Sequence, residues 1–184
     1  IVIDRIRLRT EEDRVDLGAL VPVAPIDADA CMERVNAIVD GMRDADYQAV
    51  CRAMLRRHLA DFRQIPAAKS VHHGFIHGLL MHTADMLAMA DFLAKQYHSV
   101  IDRDLLLAGT LLHDFAKAKE FAFSELGLVT GYSVKGQLLG HLVMGAQEVA
   151  DTAGELGIPE EKSALLQHMI LSHHGEPEFG AAVR

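Results

Sequence analysis

The feature of this sequence that most limits its fold is a helical period of apolar residues that recurs in six segments. In each segment the apolar positions repeat every three to four residues, which is the spacing of one face of an α-helix. The predicted helices cover residues 27–42, 46–62, 75–97, 102–119, 135–154 and 159–174. Short connections between such helices are typical of an all-α helical bundle, and this is the fold that we expect.

The composition agrees with packed helices. Half of the 184 residues are apolar, only 5% are aromatic and tryptophan is absent, a mixture that favours helices over a β-sandwich. A net charge of −8 argues against binding nucleic acid by bulk electrostatics, although it leaves room for a local basic groove. Cys31 and Cys51 stand alone in helical segments, so we expect two core thiols in a reducing compartment.

Two segments depart from the helical pattern. Residues 120–133, "EFAFSELGLVTGYS", alternate apolar residues with glycines and predict a small β-hairpin or an irregular flap over a site. Residues 1–10 read as a short strand, and "VPVAP" at 21–25 reads as a linker. We therefore assign residues 1–24 to the tail of a preceding module and its linker, and 25–184 to one helical domain.

Several broad expectations follow from the chain as a whole. It starts without methionine and ends without a helix stop, so we expect a fragment whose helical domain is truncated at the C-terminus. It has no run of about 18 apolar residues and no signal peptide, which predicts a cytoplasmic protein without a membrane segment. A homo-oligomer is compatible with the sequence.

The third and fourth predicted helices each direct a histidine inward on a helical wheel. In the third helix His82 lies on a stripe that we interpret as the core-facing side; its companions are Met86, Met89 and Leu93. In the fourth helix His113 shares a face with Leu106 and Thr110, and Asp114 lies beside it.

The fifth and sixth predicted helices add further histidines. His141 lies on the apolar stripe of the fifth helix, together with Leu138, Leu142, Gly145 and Val149. The sixth helix ends in "SHHG", which presents His173 and His174 at its terminus. Burying several imidazoles and a carboxylate without compensation costs several kcal/mol each. A divalent cation removes this cost, because it takes neutral imidazole and ionised carboxylate as ligands, and we therefore predict a metal site.

The stretch "KSVHHGFIHGLLMHT", residues 69–83, contains four of the eleven histidines, but they do not all share one face of a straight helix. His82 is the predicted ligand. Gly74 and Gly78 weaken the helix here, so His72 and His73 are expected before its N-terminus, where they could meet an anionic substrate or form an ordinary turn. His77 is interpreted as partly exposed, without an assigned role.

The order H…HD…H…HH, formed by these predicted ligands, resembles the HD-domain metal-dependent phosphohydrolases. The central stretch "LLAGTLLHDFAKAKE" contains the adjacent His and Asp and a lysine three residues later. More narrowly, "PAAKSVHHGFIHGLLMHT", "KGQLLGHLVMG" and "LLQHMILSHHGEPEFG" are similar to the YhaM-type 3′–5′ exoribonucleases. The resemblance covers about residues 20–184, and in that family an OB-fold precedes the HD domain, which would explain the strand at residues 1–10.

The resemblance implies a site for two divalent ions, drawn from Mn²⁺, Fe²⁺, Ni²⁺, Co²⁺ or Zn²⁺ because the ligands offer nitrogen and oxygen without sulfur. It implies that Asp114 bridges both ions, that His82 and His113 hold one, and that His141, His173 and His174 hold the other. His168 is a reserve candidate or an outer partner. Lys117 is expected to pair with a phosphate oxygen during phosphodiester hydrolysis, or else only to ease the end of its helix dipole.

The sequence departs from the family in two places. Relatives read close to "GGLLEHT" where this chain has "HGLLMHT", so His77 and Met81 replace a glycine and a glutamate that could support a metal or a bound water. HD domains normally supply a final aspartate ligand from a later helix, and no residue follows Arg184. If the protein ended there, we would expect an incomplete site with weak or no activity.

The functional predictions therefore divide into three. The first is a 3′–5′ exoribonuclease acting on RNA or short oligonucleotides, helped by an OB-fold outside this chain and by a basic stripe at Arg52, Arg56 and Arg63 that is otherwise a solvated face. The second is a phosphohydrolase of small nucleotides or cyclic dinucleotides. The third is a non-catalytic metal-binding module.

Overall fold

A computed structural model describes residues 5–7, 10, 21–68 and 74–176 of the chain. Within these ranges the helices are α1 (Ala28–Asp40), α2 (Ala45–Gln64), α3 (Gly78–Gln96), α4 (Arg103–Leu112), the single turn α5 (Lys117–Glu120), α6 (Val134–Leu156) and α7 (Glu160–Ser172). Strands β1 (Phe121–Phe123) and β2 (Val129–Tyr132) form one antiparallel hairpin between α5 and α6. The predicted helical bundle with a small hairpin near 120–133 is confirmed.

Aspartate caps determine where three of the helices begin. Asp27, Asp44 and Asp102 each precede a helix in extended conformation and accept two backbone N–H groups of its first turn. These N–H groups have no partner within the helix, so a side-chain acceptor stabilises each start by about 1 kcal/mol. The caps fix where α1, α2 and α4 enter the bundle.

The core lies between α1, α2, α3, α4, α6 and α7. Its fully buried members come from every one of these helices and include Val35, Met54, Leu87, Leu111 and Ile170. Cys31 and Cys51 are both free and buried among them, as predicted from the sequence. No helix in the described ranges has the length and apolar character that crossing a membrane requires.

The fourth helix is shorter than predicted. Instead of running to about residue 119, it ends at Leu112 and a turn separates it from α5. The His113 ring donates from Nδ1 to the Thr110 carbonyl at 2.8 Å, and this is the carbonyl that the Asp114 N–H would use in a continuing helix. The hydrogen bonds that follow span three residues instead of four, as in the bond from the Lys117 N–H to the Asp114 carbonyl. The His–Asp pair therefore lies in a turn.

The predicted core-facing stripe of α3 was also wrong. Met86 is 41% exposed and Met89 61% exposed, whereas the buried face carries Leu79, Leu80, Thr83, Leu87, Ala90 and Ala94. Because α3 is apolar on nearly all sides, its periodicity does not distinguish the two faces. The small side chains of Thr83, Ala90 and Ala94 let neighbouring helices approach, so that face packs inward. His82 therefore lies half-buried beside the core rather than in it.

A kink divides α6. Gly140 has φ +69° and ψ 165°, outside the helical region, so the residues before it are rotated relative to those after it. Leu138, predicted on the same stripe as His141, is consequently 77% exposed, while His141, Leu142, Gly145 and Val149 are buried. The kink directs His141 into the bundle independently of the first turns of the helix.

The N-terminal predictions fall mostly outside the described residues. Of residues 1–20 only 5–7 and 10 are described, and these have no regular secondary structure. Next to the helices, Val23 forms an isolated parallel bridge with Ile76, and the Ala24 N–H donates to the Ile76 carbonyl at 2.9 Å. The division at residue 24 stays a prediction.

His77 has a structural role that the sequence did not indicate. It precedes α3 with φ +64°, a left-handed conformation that costs a residue with a side chain about 1–2 kcal/mol. Its ring Nδ1 lies 2.6 Å from the Arg63 carbonyl, and its N–H donates to the Gln64 carbonyl at 3.0 Å. These bonds join the start of α3 to the end of α2 and hold the backbone where a glycine would be favoured.

We expect His77→Ala to be about 1 kcal/mol less stable than His77→Gly, because both variants lose the ring hydrogen bond but only alanine keeps the left-handed strain. Urea unfolding followed by circular dichroism measures the difference. His98→Ala, at an exposed loop position, controls for loss of an imidazole. Equal stability of the alanine and glycine variants would contradict the strain assigned to His77.

Candidate metal centre

Two groups of side chains converge between α3, α4, α6 and α7. The first consists of His82, His113 and Asp114, and the second of His141, His173 and His174. Within each group, nitrogen or carboxylate oxygen atoms that could ligate a metal ion all lie within 4.8 Å of one another. The structure thus brings together all six residues predicted as ligands, and it divides them as the family resemblance implied. That they bind metal stays a prediction.

Asp114, a member of the first group, also faces the second group and presents one oxygen to each set of histidines. Its Oδ2 is 3.1 Å from His113 Nε2 and 3.7 Å from His82 Nε2. Its Oδ1 is 3.5 Å from His141 Nε2 and 3.8 Å from His173 Nε2. One carboxylate therefore has the geometry to contact an ion in either group.

The carboxyl group of Asp114 is held in its ionised form. Burial by itself would raise the pKa of Asp114, but hydrogen bonding and charge from His113, and then from Lys117, outweigh burial and hold that pKa well below its usual range. The Lys117 ammonium lies 2.7 Å from Oδ2. An ionised carboxylate is the form that ligates divalent cations.

Two of the histidines are oriented by hydrogen bonds to backbone carbonyls on the far side of their rings. Nδ1 of His113 lies 2.8 Å from the Thr110 carbonyl, and Nδ1 of His173 lies 2.7 Å from the Ile170 carbonyl. A carbonyl only accepts, so Nδ1 carries the proton in each case. When such a ring is in its neutral form, it presents an unprotonated Nε2 to the centre, which is the arrangement seen in metal-bound histidines.

Burial favours the neutral form of two histidines in the second group. It lowers the pKa of His173 to about 4, and it also lowers the pKa of His174, with the neighbouring His141 adding to the effect. The His173 and His174 ring centroids are 4.3 Å apart. Two rings this close repel one another when both are protonated. Their nitrogens are therefore more readily available to a metal ion than to protons.

Two buried polar atoms without a hydrogen-bond partner indicate that the centre fits a metal ion. Among the described residues, Asp114 Oδ1 and His141 Nε2 are buried without any hydrogen-bond partner, although they lie only 3.5 Å apart. A buried acceptor left unsatisfied costs about 1–3 kcal/mol, and more when it is charged. Both atoms face the space between the groups, and a cation there would satisfy both. The residues fit the predicted ions.

Glu120 supports His141 and was missed by the sequence analysis. Its Oε1 accepts the backbone N–H of His141 at 3.0 Å and lies 2.9 Å from the ring Nδ1. Burial would raise the pKa of Glu120, but the hydrogen bonds and charge of His141 prevail and lower it. Glu120 therefore fixes both the backbone and the tautomer of His141. The available signal was the pair Gly136 and Gly140: a Cβ on Gly136 would clash with the Glu120 backbone carbonyl, and Gly140 lies beside the Glu120 carboxylate.

A second buried pair supports the turn that carries the centre. Glu148 Oε1 lies 2.5 Å from His58 Nε2, and Glu148 Oε2 accepts from Lys119 Nζ at 2.7 Å. Burial opposes ionisation of Glu148, but these two partners outweigh it and lower the pKa to about 2. The pair connects α2 and α6 to α5 just after the His–Asp turn.

The remaining predicted site residues are placed as follows. Lys117 reaches Asp114 from a separate helical turn, with 17% of its side chain exposed. His168 belongs to neither histidine group. His72 and His73, predicted to bind substrate, lie outside the described residues.

The predicted basic stripe is largely engaged in ion pairs on α1. Arg52 pairs with Asp40 at 2.8 Å and Arg63 with Asp29 at 2.7 Å, while Arg56 is exposed. Surface pairs of this kind contribute about 0–1 kcal/mol and favour the interpretation as a solvated face.

The class of protein is settled by comparison with known families. The family model described as "HD domain" matches residues 79–181, more than half of the chain, and this range contains all six residues of the two groups. The chain belongs to the HD domain family. The two groups are the part of the described chain that could hold the metal on which HD domains depend.

The curated relatives narrow the resemblance. The chain is 38% identical over 176 residues to the 3′–5′ exoribonuclease YhaM of Bacillus subtilis, and 37% identical over 179 residues to that of Halalkalibacterium halodurans. The protein of the same name from Bacillus licheniformis is 39% identical. These alignments cover 96–97% of this chain but 55% of each relative, so the chain spans about half the length of the relatives that it matches. No solved structure matches the chain.

Proposed function

We propose that this chain is the catalytic domain of a metal-dependent phosphodiesterase that degrades RNA or short oligonucleotides from the 3′ end. The observation that carries the proposal is the position of Asp114, whose two carboxylate oxygens face two separate histidine groups. A carboxylate placed in this way suits a pair of divalent ions, which is a recurring solution for phosphodiester hydrolysis.

The substrate and the direction of attack come from the relatives. Each is named a 3′–5′ exoribonuclease, and the identity of 37–39% extends over nearly the whole of this chain. The chain covers only about half of the length of these relatives. That this chain acts on RNA, and that it starts at the 3′ end, is therefore proposed by analogy with them. An OB-fold outside residues 25–184 is the expected source of additional affinity for RNA.

The six grouped residues would hold the ions. His82, His113 and Asp114 would hold one, His141, His173 and His174 the other, and Asp114 would contact both. When bound, such ions supply a hydroxide nucleophile at neutral pH and neutralise charge that develops on the phosphodiester. Nitrogen and oxygen donors without sulfur suit Mn²⁺, Fe²⁺, Co²⁺, Ni²⁺ or Zn²⁺.

The protein side chains would do the positioning. Hydrogen bonds at Nδ1 of His113, His141 and His173 hold the three rings with Nε2 toward the centre. The Lys117 ammonium, 2.7 Å from Asp114 Oδ2, keeps that carboxylate ionised and lies close enough to donate to a phosphate oxygen of a bound substrate. His72 and His73 remain the candidates for further contacts with substrate.

The proposal is tested with the full-length protein, Mn²⁺ and a 5′-labelled oligoribonucleotide. We expect progressive shortening from the 3′ end that stops on addition of a chelator. Mononucleotides are offered in parallel. Hydrolysis of mononucleotides alone would replace the exoribonuclease with a small-nucleotide phosphohydrolase, and metal binding without hydrolysis of either substrate would leave a non-catalytic module.

A further inference from the structure

A cavity of about 230 Å³ opens directly beside the candidate metal centre. One side is formed by His82, His113 and His173, so the cavity adjoins both histidine groups. The rest of the lining consists of Met86 of α3, Gly109 and Thr110 of α4, and Met169 of α7, and it is apolar except for the Thr110 hydroxyl. We call this cavity the Met86–Met169 pocket.

The apolar side of the pocket is built by close packing. A Cβ on Gly109 would lie 2.9 Å from Met169 Cβ and 3.0 Å from Met169 Cε, so Met169 rests directly on the backbone of α4. Met86 follows His82 by one helical turn and therefore projects from the same side of α3. It keeps 41% of its surface exposed although it borders a well-packed core. Met86 therefore contributes little to the hydrophobic core.

The chemistry of the pocket selects its occupant. Two thioethers offer adaptable apolar contact and favourable sulfur–aromatic interactions, which suit a flat ring rather than a phosphate. The volume lies below the roughly 300–1,000 Å³ of sites for drug-sized ligands, so it accommodates a single ring system. Apart from the histidines, Thr110 is the one polar side chain among the described residues that line it. Such a pocket holds a ring without distinguishing its hydrogen-bonding edge.

We propose that the Met86–Met169 pocket binds the nucleobase of the nucleotide whose phosphate lies at the histidine groups, by shape and apolar contact and without selecting among bases. The proposal rests on the proposed function, because it takes the phosphodiester to be that of a nucleotide chain. It assigns to two methionines the stacking role that aromatic side chains usually perform. Tolerance of every base is what stepwise removal of nucleotides from a mixed sequence requires.

Calorimetric titration tests the pocket without a catalytic readout. The full-length protein with Mn²⁺ is titrated with AMP, with UMP and with ribose 5-phosphate, which carries the phosphate and sugar without a base. We expect both nucleotides to bind about tenfold more tightly than ribose 5-phosphate and within about threefold of each other. Met86→Ala and Met169→Ala should each reduce the tenfold preference, while binding of ribose 5-phosphate is unchanged.

Met89→Ala is the matched control, because Met89 lies on the same helix, is 61% exposed and does not line the pocket. Thermal melting of each variant separates a lost contact from a lost fold. Three results would contradict binding of a nucleobase in the pocket. They are equal binding of nucleotides and ribose 5-phosphate, retention of the preference in both methionine variants, and no binding of any of the three compounds. A preserved preference in a protein that degrades no RNA would instead refute the exoribonuclease while leaving the pocket in place.

Discussion

Asp114→Asn is expected to remove metal from both histidine groups and to lower phosphodiester hydrolysis by about a thousandfold or more. The amide keeps the size of the side chain but lacks the charge, and its nitrogen is a poor ligand. Since Asp114 presents Oδ2 to one group and Oδ1 to the other, its loss weakens both. The effect on rate corresponds to several kcal/mol of transition-state stabilisation that bound ions supply.

Plasma emission spectrometry measures the metal content of Asp114→Asn directly and needs no assay of activity. Asp151→Asn is the control, because Asp151 is an exposed aspartate on α6 outside both groups. His174→Ala sharpens the result: His174 belongs only to the second group, so its loss should leave about one ion of an expected two. Wild-type metal content in Asp114→Asn would refute the centre as described.

The second large effect is expected from Gly136→Ala. Gly136 lies in the first turn of α6, and a Cβ there would come within 2.1 Å of the Glu120 carbonyl oxygen. Ser133, the cap of this helix, also holds the start of α6 against α5. Its Oγ donates to the Lys119 carbonyl at 2.7 Å and accepts the Gly136 N–H at 2.9 Å. Relief of the clash requires α6 to move away from α5. We expect a loss of about 1–3 kcal/mol in the free energy of unfolding.

The same movement should weaken the second histidine group, because it separates Glu120 from His141. We expect metal affinity to fall by about 10- to 100-fold, the range for loss of a partner that orients a metal-bound histidine. Gly154→Ala is the matched control on the same helix, where a Cβ would meet nothing within 4 Å. In that exposed turn alanine should stabilise the protein by about 0.5–1 kcal/mol. Unfolding in urea and titration with Mn²⁺ measure both effects, and equal behaviour of the two variants would contradict the assigned packing.

Much of the fold could be predicted because its determinants are local. Apolar periods locate α1 and α2 to within a few residues, and alternation with glycines predicts the hairpin. These features depend on residues only a turn or two apart, and sequence patterns report such relations well.

The errors have causes that the apolar period of a sequence does not report. The end of α4 depends on the His113 ring taking the Thr110 carbonyl, a choice of rotamer that no period encodes. The buried face of α3 is decided by which neighbouring helices can approach its small residues, and the stripe with Met86 looked equally apolar. Glu120 became part of the centre only because Gly136 and Gly140 let a helix from later in the chain pack against it.

The centre draws its side chains from two helices, α3 and α6, and from the turns that follow α4 and α7, so an ion held there would link segments that are distant along the chain. Such an ion binds the folded state and not the unfolded chain, and by mass action it raises the melting temperature with its own free concentration. At 100 times its dissociation constant the gain is about 2.7 kcal/mol. A thermal-shift series across candidate divalent ions would therefore rank their affinities without any substrate.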